Sequence, residues 1–121
     1  MDIIGLWKIT EANVMDMDFN QTWRKVEDIL ADDSIHPMQK AMAQNMYLFG
    51  EDGKMLQLMP EEYDKENKYE KYDENYVIGH KADWEEKEGR LFFAAEGNGQ
   101  TEIVPDGDGF IIFDMYKIRK V

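Results

Sequence analysis

The residues whose types and spacing could do chemistry are few. In VPDGDGFI, Asp106, Asp108, Gly109 and Ile111 match the third, fifth, sixth and eighth positions of a helix–loop–helix calcium site. Position one is then Val104 and position twelve Met115, neither of which offers an oxygen donor from its side chain. The flanks read as strands, so the run is a hairpin turn. The two histidines, His36 and His80, sit on different predicted elements and have no partner at metal-ligand spacing. His80 lies three residues from Asp83, but a pair without a nucleophile is no hydrolytic triad. The 26 carboxylates are so plentiful that any two could be named as an acid/base pair, and nothing singles one pair out. There is no cysteine, which excludes thiol catalysis, disulfides and zinc–thiolate sites. The chemistry left is non-covalent: the reading is a protein that is not an enzyme and carries no metal or cofactor.

Charge narrows the partners. With 26 acidic and 14 basic residues the formal net charge is −12, a surface that repels nucleic acid and anionic lipid at long range. The sequence shows neither a secretory signal pattern nor an apolar run of the ~20 residues that a membrane helix needs. The expectation is a cytoplasmic protein with no nucleic-acid or membrane partner. The densest acidic stretch, PEEYDKENKYEKYDENY from Pro60 to Tyr76, mixes in lysines and four tyrosines and reads as a solvated face.

The elements that must hold any site follow from periodicity. Residues 1–121 read as one domain. Ile3 to Thr10 alternates, with Ile3, Gly5, Trp7 and Ile9 on the buried face of a first strand. Phe19, Trp23, Val26 and Leu30 then fall at helical spacing, with Asp18 as N-cap and Gln21 completing the capping box. A second short helix is expected from Ser34, with Pro37 in its first turn, giving a helical segment over about 18–45. From Met46 onward the period is two. Turns are expected at Glu51-Asp52-Gly53, EEKEG, Asn98-Gly99 and PDGDG, the last followed by one long strand, FIIFDMYKIRKV. The pattern predicts a mainly β fold: a small antiparallel up-and-down barrel of about 7–8 strands, with two short helices after the first strand.

Gly5-Leu6-Trp7 on the first strand and Arg119 on the last resemble the G-x-W and terminal basic signature of the calycins, the superfamily of lipocalins and fatty-acid-binding proteins. The resemblance implies that Trp7 closes one end of the barrel, that Gly5 allows the close approach there, and that Arg119 lies across the indole as a cation–π contact. It also implies a carrier or sensor that binds a small apolar or amphipathic ligand inside the barrel. Trp7, Met38, Met42, Phe93 and Tyr116 are the candidate lining residues. Met38, Met42 and Met46 recur every fourth residue, a stripe able to re-pack as a pliable wall or as core. The Arg-x-Tyr by which fatty-acid-binding proteins hold a carboxylate is missing: Tyr116 and Arg119 are three apart and face opposite ways. The alternative is a non-enzymatic interaction scaffold whose barrel is filled by its own side chains. Both faces of the last strand are apolar, with Phe110, Ile112, Tyr116 and Ile118 on one and Ile111, Phe113, Met115 and Val121 on the other. That pattern points to a homodimer.

Overall fold

The first strand, β1 (Gly5–Met15), runs 11 residues and organises the rest of the chain. The computed structural model describes residues 3–15, 18–94 and 99–121. After β1 come β2 (Gln21–Lys25), α1 (Val26–Ala31), α2 (Pro37–Met42), β3 (Met46–Phe49), β4 (Lys54–Pro60) and a single 3-10 turn (Glu61–Tyr63). The second half is β5 (Glu70–Lys71), β6 (Tyr76–Lys87), β7 (Arg90–Ala94), β8 (Gln100–Asp106), β9 (Gly109–Ile112) and β10 (Tyr116–Lys120).

Eight antiparallel strands close a barrel in the order β1-β3-β4-β6-β7-β8-β9-β10, with β10 returning to β1. Closure leaves that ring without an edge. The two longest strands each carry two partners end to end on one side. β1 pairs β3 through Gly5–Lys8 and β2 through Glu11–Met15. β6 pairs β5 through Val77 and Ile78, then β7 from Asp83 on. The mainly β barrel with two short helices is therefore the fold that the alternation predicts.

The interior is built from the inward residues of every barrel strand. Trp7, Tyr47, Phe49, Ile103, Phe110, Ile112 and Ile118 are each 2% exposed or less, and Phe93, Tyr116 and Ile29 join the same cluster. Complete burial of an aliphatic or phenyl side chain of this size contributes about 1.5–3 kcal/mol, so this cluster dominates the fold's stability.

Four local expectations are corrected. The residues read as a helix from Phe19 begin with strand β2, because Gln21–Lys25 completes the ladder along the second half of β1, from Met15↔Gln21 to Glu11↔Lys25. The helix starts only at Val26, so Asp18 does not cap it, and its buried residue is Ile29, which the helical stripe omits. The second helix is capped by His36 rather than Ser34. The His36 Nδ1 accepts from the Met38 N–H at 3.0 Å, and Pro37 occupies the first helical position. Ser34 is instead drawn to Asp32, donating from its backbone N and its Oγ to Asp32 Oδ1 at 2.9 and 2.6 Å.

The turn at EEKEG is shorter than expected, since the strands run on through Lys87 and resume at Arg90, leaving Glu88 and Gly89, both with positive φ. The expected long last strand is a hairpin: Phe113 and Asp114 have φ of 58° and 55°, and Met115 N–H donates to the Ile112 carbonyl at 3.0 Å. Its apolar outer face is thereby broken, with Phe113 and Met115 placed in the turn, so that argument for a homodimer lapses. Gly53 takes the positive φ expected of the β3–β4 turn. Asn98 lies outside the described residues.

Candidate functional site

Alternation sends Trp7 inward, and three contacts hold it there. Its Nε1 donates to the Ile3 carbonyl at 2.6 Å. Its ring meets Phe110 edge-on at 5.2 Å between centroids. The Lys120 ammonium stands 5.7 Å from its ring centroid. Gly5 makes room for that lysine: with φ at +132°, a Cβ there would lie 2.8 Å from Lys120 Cε.

The cation over the indole is therefore Lys120 and not Arg119. The register pairs Trp7 with Lys120 and Lys8 with Arg119, and neighbouring residues on a strand face opposite ways. Arg119 falls outside, where its guanidinium donates to Asp106 at 3.1 Å and to the Ile118 carbonyl at 3.0 Å. It lies over Gly109, where a Cβ would collide with both Arg119 and the Ile118 carbonyl. The signal for Lys120 was present in the sequence: it has the parity of Ile118 and Tyr116, the inward residues of β10.

Of the expected ligand-lining residues, Trp7, Phe93 and Tyr116 meet in the core, while Met38 and Met42 do not. Helix α2 buries none of its residues, leaving Met38 65% and Met42 41% exposed, so the methionine stripe walls no interior space. Phe93 points in, and its neighbour Phe92 points out beneath the Arg90 guanidinium, 5.4 Å from the ring centroid. Burial raises the pKa of the Tyr116 hydroxyl, and raises that of Tyr47 further, so both stay neutral. The core side chains are nearly all buried, and a concavity of about 280 Å³ beside the β6–β7 and β8–β9 turns is walled in part by two of them, Leu91 and Phe110.

Two concavities lie on the outer surface. A groove of about 430 Å³ crosses β3, β4 and β6, floored by Leu48, Leu56 and Ile78. At its rim Lys54 pairs with Asp83 at 2.5 Å and Lys81 with Glu70 at 3.5 Å. A wider polar concavity of about 590 Å³ lies by the acidic stretch, between Glu61, Glu62, Glu74 and Tyr76. Inside that stretch the buried Asp64 accepts from the backbone N–H groups of Lys68 and Tyr69, which folds the loop around it.

The DGDG run is the β8–β9 hairpin, with Gly107 at positive φ and Asp106 held by Arg119. Among the described residues no three His, Asp or Glu side chains converge on a metal position, and no helix is long and apolar enough to cross a membrane. No protein-family model matches the chain, and comparison with curated proteins and with solved structures returns no match.

Proposed function

We propose that this protein is a non-enzymatic binding module that works through its outer surface, the barrel serving as a filled scaffold. The observation that supports this most directly is the packing of Trp7, Tyr47, Phe93 and Phe110 among the described residues, each 4% exposed or less. An eight-stranded barrel is narrow enough for its own side chains to fill it, and here large aromatic residues are among the buried inward side chains. In this reading the resemblance at Gly5 and Trp7 concerns how the barrel closes, and an apolar ligand inside it becomes the competing proposal.

Native mass spectrometry of the freshly purified chain, repeated after organic extraction, separates the two. The surface reading expects the bare polypeptide mass in both spectra. A stoichiometric apolar adduct that extraction removes would overturn it and restore the carrier.

A further inference from the structure

The register sets leucines opposite one another on the outside of the barrel. Leu6 on β1 pairs with Leu48 on β3, and Leu48 with Leu56 on β4. Directly opposed residues share a face of the sheet. Their chain neighbours Trp7, Tyr47 and Met55 belong to the interior cluster, so this row of three points outward. Leu6, Leu48 and Leu56 are each only partly buried, and the last two floor the outer groove together with Ile78. The neighbouring outward row ends differently. There Leu58 is paired with Met46 and Ile78, is 0% exposed although it stands outside the interior cluster, and lies on the strand against which α2 packs. The chain's own elements close the outer face at Leu58 and leave the leucine row open.

The charges around that row are balanced and engaged. Lys54 pairs with Asp83 and Lys81 with Glu70 at the rim, and Asp52 Oδ1 accepts from the Lys54 backbone N–H at 3.0 Å. Two lysines against three carboxylates leave a formal −1 here, in a chain whose total is −12. Each of these acids already has a donor, so nothing directs a cationic partner to the groove. Each ammonium already has a carboxylate, so nothing recruits nucleic acid or anionic lipid. Cations and anions in near-equal number around an apolar row do suit a copy of the same surface. A two-fold axis can set the cations of one rim against the anions of the other, as an isologous interface requires, and near-neutrality lets two acidic chains meet there.

We infer that this face is the interface of a homodimer, in which Leu6, Leu48 and Leu56 pack against the same row of a second copy, with the Lys54–Asp83 and Lys81–Glu70 pairs at the rim. The inference rests on the surface-binding reading above and names its surface and its partner. Contiguous apolar residues rimmed by charged groups are the form that such interfaces take. It also fixes how salt must act. Sulfate screens the repulsion between two −12 chains and strengthens apolar burial, so it tightens this dimer, whereas it would loosen one held by ion pairs.

Sedimentation velocity of the full chain over a range of concentrations should show a monomer–dimer equilibrium that moves towards dimer as sodium sulfate is added. Leu56→Gln should raise the dimer dissociation constant by about tenfold or more, with little fall in melting temperature, because Leu56 is already partly exposed. Lys54→Glu, at a side chain 58% exposed, should also weaken the dimer. Adding Asp83→Lys to that variant should restore it, since the rim pair is then present with its charges exchanged. Phe19→Asn, at a phenylalanine 81% exposed beyond the other end of β1, should leave the equilibrium unchanged.

A chain that sediments as monomer at every concentration and salt overturns the dimer and leaves the surface reading standing. So does a dissociation constant unchanged in Leu56→Gln and Lys54→Glu, or a dimer that sulfate dissociates. Should Leu56→Gln unfold the chain, the Lys54 and Asp83 variants decide. Loss of the dimer in Phe19→Asn overturns this face in favour of another. Failure of the surface reading itself shows separately, as an extractable adduct in the native spectrum.

Discussion

Two tryptophans meet two lysines of the same strand, and the two pairs behave differently. Lys120 covers Trp7 at the inner seam between β1 and β10, while Lys117 lies over Trp23 on β2, outside the barrel. The outer pair is the closer, 4.7 Å against 5.7 Å to the ring centroid. Contact distance is still the wrong measure of importance. Trp7 is 1% exposed, wedged against Phe110, with its ring N–H satisfied by a carbonyl, whereas Trp23 is only half-buried. A cation–π contact is worth about 0.5–1 kcal/mol at exposed sites, less than the apolar burial of an indole inside a core. The lysines decorate two rings whose energetic weight is set by packing.

The comparison breaks most readily at Trp7. Trp7→Ala should cost about 3–5 kcal/mol, read as the shift of a urea midpoint; a loss below 1 kcal/mol would show that the seam is not packed as described. Trp23→Ala should cost about 1 kcal/mol, since only part of its surface leaves water. Equal losses at the two tryptophans would erase the distinction between inside and outside.

A finer test asks which cation belongs to Trp7. In a double-mutant cycle Lys120→Met and Trp7→Phe should couple by about 0.5–1 kcal/mol, and Arg119→Met should be additive with Trp7→Phe. Coupling to Arg119 instead would mean that the β1–β10 register is shifted by one residue.

The smallest effect concerns how the outer elements are fastened. Asp32 joins α1 to β2 through Arg24, and its hydrogen bonds, first from the Ser34 hydroxyl and then from Arg24, hold its carboxyl well below the usual carboxylate range. Its folded pKa is depressed, so its stabilising contribution is present above the usual carboxylate range and is lost as pH falls through that range towards the folded value. On acidification, hydrogen exchange at β2 should rise before that of β1, and Asp32→Asn should flatten this response. An unchanged acid response in that variant would remove Asp32 from the fastening.

The barrel was legible because its signal is local and repeated. Period-two alternation, the EDG turn and the regular spacing of hairpins each act over a few residues. The misreadings occur where a local pattern had two physical outcomes. Phe19, Trp23, Val26 and Leu30 have helical spacing, but the vacant second half of β1 offered Gln21–Lys25 a hydrogen-bonded ladder, and β2 formed there. Phe113 and Asp114 carried no turn signal of the glycine kind, so the β9–β10 hairpin was hidden inside an apolar run. The candidate site was legible only in part: Trp7, Phe93 and Tyr116 are inward by parity, while Met38 and Met42 lie on a helix that never turns a face to the core.

What the sequence determined by itself was most of the barrel strands, the inward parity of their large side chains, and an acidic, cysteine-free composition. What only the tertiary structure decided was the register that puts Lys120 over Trp7, the extra strand β2, and the splitting of the last apolar run into β9 and β10. The division has one physical cause: alternation and turn chemistry act over a few neighbouring residues, whereas the β1–β10 register depends on contacts between residues more than a hundred positions apart, which no local pattern records.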